Sequence, residues 1–85
     1  MKIQAEISLY PLCENEYSRP IKQFIRFLDN NNLNIKTGPM STLVAGDSQV
    51  LFEKLQQAFE QIADEYKVVM TSKISNVCPK VNQDK

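Results

Sequence analysis

Histidine is absent from the 85 residues, which removes every His-based catalytic triad and most zinc chemistry. Basic and acidic side chains number ten each, so the basic excess that drives phosphate contact and counterion release in nucleic-acid binders is missing too. No apolar run approaches the ~18 residues of a membrane span, and Glu6 stands where a signal peptide would need its apolar core. The expectation is a cytoplasmic protein with no membrane insertion and no nucleic-acid partner. Glycine occurs only twice and forms no phosphate-cradling loop, which speaks against a diphosphate ester as ligand. The chain is also too short for a second domain. By surface-to-volume scaling it buries only roughly 60–65% of its unfolded surface, so self-association is a natural way to bury more.

What is present is clear periodicity. Ile3, Ala5, Ile7 and Leu9 alternate with Lys2, Gln4, Glu6, Ser8 and Tyr10, the pattern of a half-buried strand that Pro11 should end. Ser18 offers an N-cap for an amphipathic helix over about residues 19–31, with Ile21, Phe24, Ile25 and Leu28 at i, i+3, i+4 and i+7. Asn30, Asn31 and Asn32 suit a left-handed helix end. Alternation resumes at Leu33–Lys36 and again at Ser41–Ala45, and Gly38-Pro39 between them places a hairpin turn near Thr37–Met40. Asp47 caps a second helix over about residues 48–65, and Lys67–Ser75 reads as a last strand.

This βαββαβ order predicts an α+β, ferredoxin-like domain over residues 1–78, followed by a polar tail over 79–85. Right-handed crossovers put the first strand of the four-stranded antiparallel sheet between the third and fourth, with both helices on one face. Cys13 and Cys78 then fall at opposite ends of the sheet. Eight residues at ~3.4 Å separate them by about 25 Å, beyond the ~7 Å limit for a bridge, so two free thiols are expected, as in a reducing compartment.

With the odd-numbered residues of the first strand facing the helices, the opposite face is left open. By parity it carries Gln4, Glu6, Ser8 and Tyr10, with Leu43 and Ala45 from the third strand and Val69, Thr71 and Lys73 from the fourth. This mixture is too apolar for plain solvent exposure and too polar for a dry core, and it suits a subunit interface containing a small polar pocket.

Three segments carry a resemblance. Ala5–Leu12 in the first strand, Thr37-Gly38-Pro39-Met40-Ser41-Thr42 with Gly46 across the hairpin, and Lys73-Ile74-Ser75 in the last strand resemble the small thiamine-binding protein family (YkoF-like). The resemblance runs from about Ile3 to Ser75, and the hairpin signature is its most specific part. It implies a ferredoxin-like subunit that associates through its sheet as a homodimer or dimer of dimers. It also implies binding of thiamine, or of its hydroxymethyl aminopyrimidine moiety, without chemistry on it and without a catalytic cofactor. The binding role carried over falls on Ser8, Tyr10, Thr37, Met40, Ser41 and Thr42. Glu6 joins them on chemical grounds, as a carboxylate able to offset the thiazolium charge or accept from the pyrimidine amine. Tyr10 offers an aromatic face for stacking.

Plainer readings stand beside these. Ser8 and Tyr10 fit a solvated strand face, and Gly38-Pro39 fits any tight hairpin. Thr42 shares the parity of Val44 and so points either at ligand or toward the helices. Met40 is either a ligand contact or an interface gap-filler. Phe24, Phe27, Phe52 and Phe59 have the spacing of core and helix-packing residues and stay outside the site. Cys13 has no histidine to serve as its base, Glu14 and Glu16 read as a solvated pair in a loop, and no metal-ligating set can be assembled. The leading expectation is therefore a non-catalytic thiamine or aminopyrimidine binder with its pocket at a sheet-mediated subunit interface. The alternative is a structural or regulatory oligomerisation module without a small-molecule ligand, and an enzyme acting on a pyrimidine ranks last.

Overall fold

The computed structural model describes residues 1–13 and 15–77. Its elements run β1 (Lys2–Leu12), α1 (Ser18–Leu28), β2 (Leu33–Thr37), β3 (Thr42–Asp47), α2 (Ser48–Glu65) and β4 (Lys67–Ser75). They form one antiparallel sheet of order β2-β3-β1-β4, which is the ferredoxin-like topology. The alternation in β1 has the expected cause: Ile3, Ala5, Ile7 and Leu9 are buried against the helices, and the residues between them are not. Val44 and Leu33 extend this layer across the sheet. Phe24 and Leu28 of α1 and Leu51, Leu55, Ala58 and Ile62 of α2 close it from above.

The registers fix the open face. Glu6 lies opposite Leu43 on one side and Lys73 on the other, Gln4 opposite Ala45, Ser8 opposite Thr71, and Tyr10 opposite Val69. Cross-strand partners share a face, so the residues assigned to this surface from parity are all on it. Asn34 and Lys36 join them from β2.

Four local expectations are corrected. Pro11 does not end pairing, because β1 continues through Pro11 opposite Val68 to Leu12 opposite Lys67. Beyond Ile7 the strand has lost β3 and has a partner on one side only, and such an edge tolerates a residue without an N–H. Ser18 is not the N-cap of α1 but its first residue; the cap is Tyr17, which makes no side-chain capping bond. The helix stops at Leu28 rather than Asn31. Its end is made by an Asx-type turn, in which Asn30 Oδ1 accepts from the Asn32 N–H at 2.7 Å, and not by a left-handed asparagine. Among the described non-glycine residues only Cys13 has positive φ, at 60°. Phe24 and Phe27 pack in or against the core, whereas Phe52 is 50% exposed on α2. Cys13 is a free, exposed thiol; Cys78, its expected separation from Cys13 and the expected tail lie outside the described residues.

Asp47 caps α2 as read from the sequence, accepting from the Gln49 N–H at 3.2 Å and from the N-terminal ammonium at 3.2 Å. The hydrogen bond and charge of that ammonium, helped by the Gln49 and Val50 amides, hold the Asp47 carboxyl below the usual carboxylate range. A depressed folded-state pKa stabilises the fold above the unfolded pKa of about 4, and the contribution is lost as pH falls through the lower folded value. Asp47→Ala should therefore melt at a lower temperature than the parent at pH 7, with the gap closing in strong acid. A gap independent of pH would show that the carboxylate charge plays no part.

Candidate functional site

Where β3 leaves β1, the sheet opens. Their pairing ends at Ile7 opposite Thr42, and residues 38–41 carry the chain from β2 to β3 beyond that point. The Gly38 N–H donates to the Ser41 carbonyl at 2.8 Å, which closes the turn. A Cβ at Gly38 would sit only 3.1 Å from that same oxygen, so glycine suits the close approach. Two side chains then fasten the turn to β1 in place of the missing ladder: Ser8 Oγ donates to the Met40 carbonyl at 3.3 Å, and Ser41 Oγ donates to Glu6 Oε2 at 2.9 Å.

Helix α1 roofs this opening. Ile21, Phe24 and Ile25 face Ile7 and Leu9 of β1 and the hairpin turn, leaving a cavity of about 100 Å³. Its polar lining comes from Ser8, Thr37, Ser41 and Thr42, with Gly38-Pro39-Met40 at the turn; Thr37 and Thr42 lie on the helix-facing side of the sheet, whereas the Ser8 side chain is on the open face with its hydroxyl on the Met40 carbonyl. None of its lining side chains is charged. Such a surface combines a few hydrogen-bonding groups with aliphatic carbon.

Five of the seven residues singled out from the sequence are thus brought together: Ser8, Thr37, Met40, Ser41 and Thr42. Glu6 stands outside the lining but one hydrogen bond from it, through Ser41. Tyr10 does not reach the cavity; it is 51% exposed on the open face, beside Leu12, Leu43 and Val69, which are exposed as well. Thr42 is buried on the helix-facing side, the structural orientation its parity allowed, and still lines the cavity. Met40 projects from the turn and is 87% exposed. The sequence reading missed the α1 wall. Ile21, Phe24 and Ile25 carry the ordinary signature of an amphipathic stripe, and a stripe does not distinguish core from the roof of a pocket. Among the described residues no group of three His, Cys, Asp or Glu could hold a metal ion, and no helix is long and apolar enough to cross a membrane.

The ferredoxin-like sheet with a hairpin-and-helix cavity at one end defines the class of molecule. More particularly, the chain matches the YKOF-related family over residues 2–81 and belongs to that family. Solved structures share its fold. A hypothetical protein of Methanocaldococcus jannascii is 26% identical, with a TM-score of 0.81 over 93% of this chain and 84% of that one. A Streptococcus pneumoniae protein is 22% identical, with a TM-score of 0.83 and full coverage of both chains. A Thermotoga maritima protein assigned provisionally to thiamine biosynthesis or salvage is 16% identical, with a TM-score of 0.85 over 99% of this chain and 97% of that one. No curated protein matches the chain.

Proposed function

We propose that this protein binds thiamine through its aminopyrimidine half, or binds the free hydroxymethyl aminopyrimidine, without catalysing a reaction on it. The observation that carries the reading is the cavity under the hairpin, which gathers Ser8, Thr37, Ser41 and Thr42 around one small volume. Membership of the YKOF-related family and the thiamine-related assignment of a structural neighbour support the same ligand class.

Size favours one ring over the whole molecule. A cavity of about 100 Å³ is smaller than the ~150 Å³ apolar cavity that accommodates benzene, so it has to widen at its mouth to take even one substituted six-membered ring. Intact thiamine has to leave its thiazolium outside. Charge agrees, since burying a cation among Ile7, Leu9, Ile21 and Ile25 would forfeit its hydration without a counter-ion. The neutral aminopyrimidine instead offers two ring acceptors and an amine donor to the Thr37 and Thr42 hydroxyls and to the turn backbone. A lining free of ionisable side chains supports binding rather than acid–base or nucleophilic catalysis.

The open face favours self-association as part of this function. Tyr10, Leu12, Leu43 and Val69 are 36–51% exposed there, and a second copy laid on that face would also reach Glu6, Ser8 and the turn they hold. In this arrangement the subunit contact borders the pocket.

Isothermal titration calorimetry with thiamine and, in parallel, with hydroxymethyl aminopyrimidine tests the proposal. Saturable binding of both, weakened at least several-fold by the double variant Ser41→Ala/Thr37→Val, is the expected result. Absence of heat with either compound up to about millimolar, corresponding to under ~4 kcal/mol of affinity, together with an unshifted melting temperature, would leave the ligand-free oligomerisation module as the better account.

A further inference from the structure

The zero net charge of the whole chain conceals two helices of opposite sign. Helix α1 carries Arg19, Lys22 and Arg26 and no carboxylate, whereas α2 carries Glu53, Glu60, Asp64 and Glu65 against Lys54 alone. Among the described residues the ion pair formed is that of the N-terminal ammonium with Asp47, so none of the α1 cations is in ion-pair contact with a carboxylate there.

Two of these cations border the cleft that holds the cavity. Past Ile25 and Thr37, which wall both, the space between α1 and the outer edge of β2 continues as an open groove lined also by Lys22, Arg26, Asp29 and Ile35. Thr37 is exposed at the junction. By its pairing with the buried Thr42 it lies on the helix side of the sheet, so its hydroxyl is available to both compartments. Lys22 and Arg26 stand one helical turn apart, about 6 Å along the axis, a spacing at which two cationic side chains can bracket one phosphate. Asp29 is the single carboxylate in the groove. It lies three residues beyond Arg26, where its charge opposes an anion, so the Lys22–Thr37 end is the more favourable.

We infer that the ligand favoured by this site is the phosphate monoester of the hydroxymethyl aminopyrimidine, with the ring in the cavity and the phosphate in the groove on Lys22 and Arg26. The inference rests on the aminopyrimidine reading above and adds to it the phosphorylation state. The ester group is one carbon from the ring, which matches a phosphate site that shares its walls with the ring site. A monoester carries about −1.5 to −2 charges at neutral pH. The cationic arms of α1 take the place of the glycine loop that the sequence lacks.

The test compares the free hydroxymethyl aminopyrimidine with its phosphate monoester by calorimetry, on the parent protein and on Lys22→Gln/Arg26→Gln. The substitutions keep much of the aliphatic stems, and both positions are exposed. On the parent the monoester should bind about tenfold or more tightly than the alcohol, as expected for two charge-assisted contacts. In the double variant that advantage should fall to within about twofold, with affinity for the alcohol unchanged and the melting curve confirming the fold. Equal affinities on the parent, or an advantage that survives the double substitution, would overturn the phosphate assignment while leaving the aminopyrimidine pocket standing. Failure of both compounds to bind would overturn the pocket reading and, with it, this inference.

Discussion

Phe24→Ala should remove about 3–5 kcal/mol of stability, the usual cost of deleting a fully buried phenyl ring. A chain of this length has on the order of 4–13 kcal/mol in total, so the variant will be partly unfolded at 37 °C or will melt tens of degrees below the parent. The ring is 2% exposed, sits between the sheet and the cavity, and belongs to both the core cluster and the cavity wall. Phe52→Ala is the matched control. It has the same residue type and the same helical spacing, but it is 50% exposed, and its expected cost is under about 1 kcal/mol. Urea unfolding of the two variants separates them. Comparable losses would mean that Phe52 is covered in solution, as by a second copy packed on α2. Under folding conditions Phe24→Ala should also lose ligand affinity, since the roof of the cavity recedes.

Gly46→Ala is the second large effect, and it acts through the backbone. Gly46 lies in register with Ile3 on one side and Leu33 on the other. A Cβ there would come within 2.7 Å of Leu33 Cδ2 and 2.9 Å of the Asn32 carbonyl oxygen. The leucine methyl can rotate away. The carbonyl belongs to the Asn30–Leu33 turn, tied by the Asn32 N–H to Asn30 Oδ1 and by the Leu33 N–H to the Asn30 carbonyl, and cannot retreat without breaking that turn. Overpacking of this kind costs typically 1–3 kcal/mol, against which alanine recovers roughly 0.5–1 kcal/mol of backbone entropy relative to glycine. The net expectation is a loss of about 1–2 kcal/mol, or roughly 4–15 °C in Tm for a domain of this size. Gly46→Val should be worse still. Parent-like melting of Gly46→Ala would show that the α1–β2 turn yields freely and that the close approach is not a constraint.

These two positions also mark where sequence reasoning succeeds and where it stops. Gly46 was visible as part of the hairpin signature, but its reason, the Asn32 carbonyl arriving from another element, is a tertiary contact. Phe24 and Phe52 carry the same local signature on amphipathic helices, and only the packing of α1 against β1 and α2 separates a buried ring from an exposed one. In the candidate site, Ser8 and Ser41 enter through the resemblance of the first strand's end and the hairpin to the YkoF-like family, since alternation alone fits a solvated strand face equally well. That Ser8 holds the Met40 carbonyl and Ser41 holds Glu6 follows from the three-dimensional approach of residues more than thirty positions apart.

Determined by the sequence alone were the order of the six elements, the capping of α2 by Asp47, the face of the sheet on which each strand residue lies, and the hairpin that carries most of the proposed pocket. Each of these rests on a short-range pattern, a period of two or of 3.6 residues or a turn dipeptide, which neighbouring residues impose on one another whatever else is nearby. Left to the tertiary structure were the continuation of β1 through Pro11, the cavity where β1 and β3 part, its roof of Ile21, Phe24 and Ile25, and the placing of Lys22 and Arg26 beside Thr37. Each depends on where one element ends relative to another. Such a position is set by the sum of packing across the whole domain, and no local pattern encodes it.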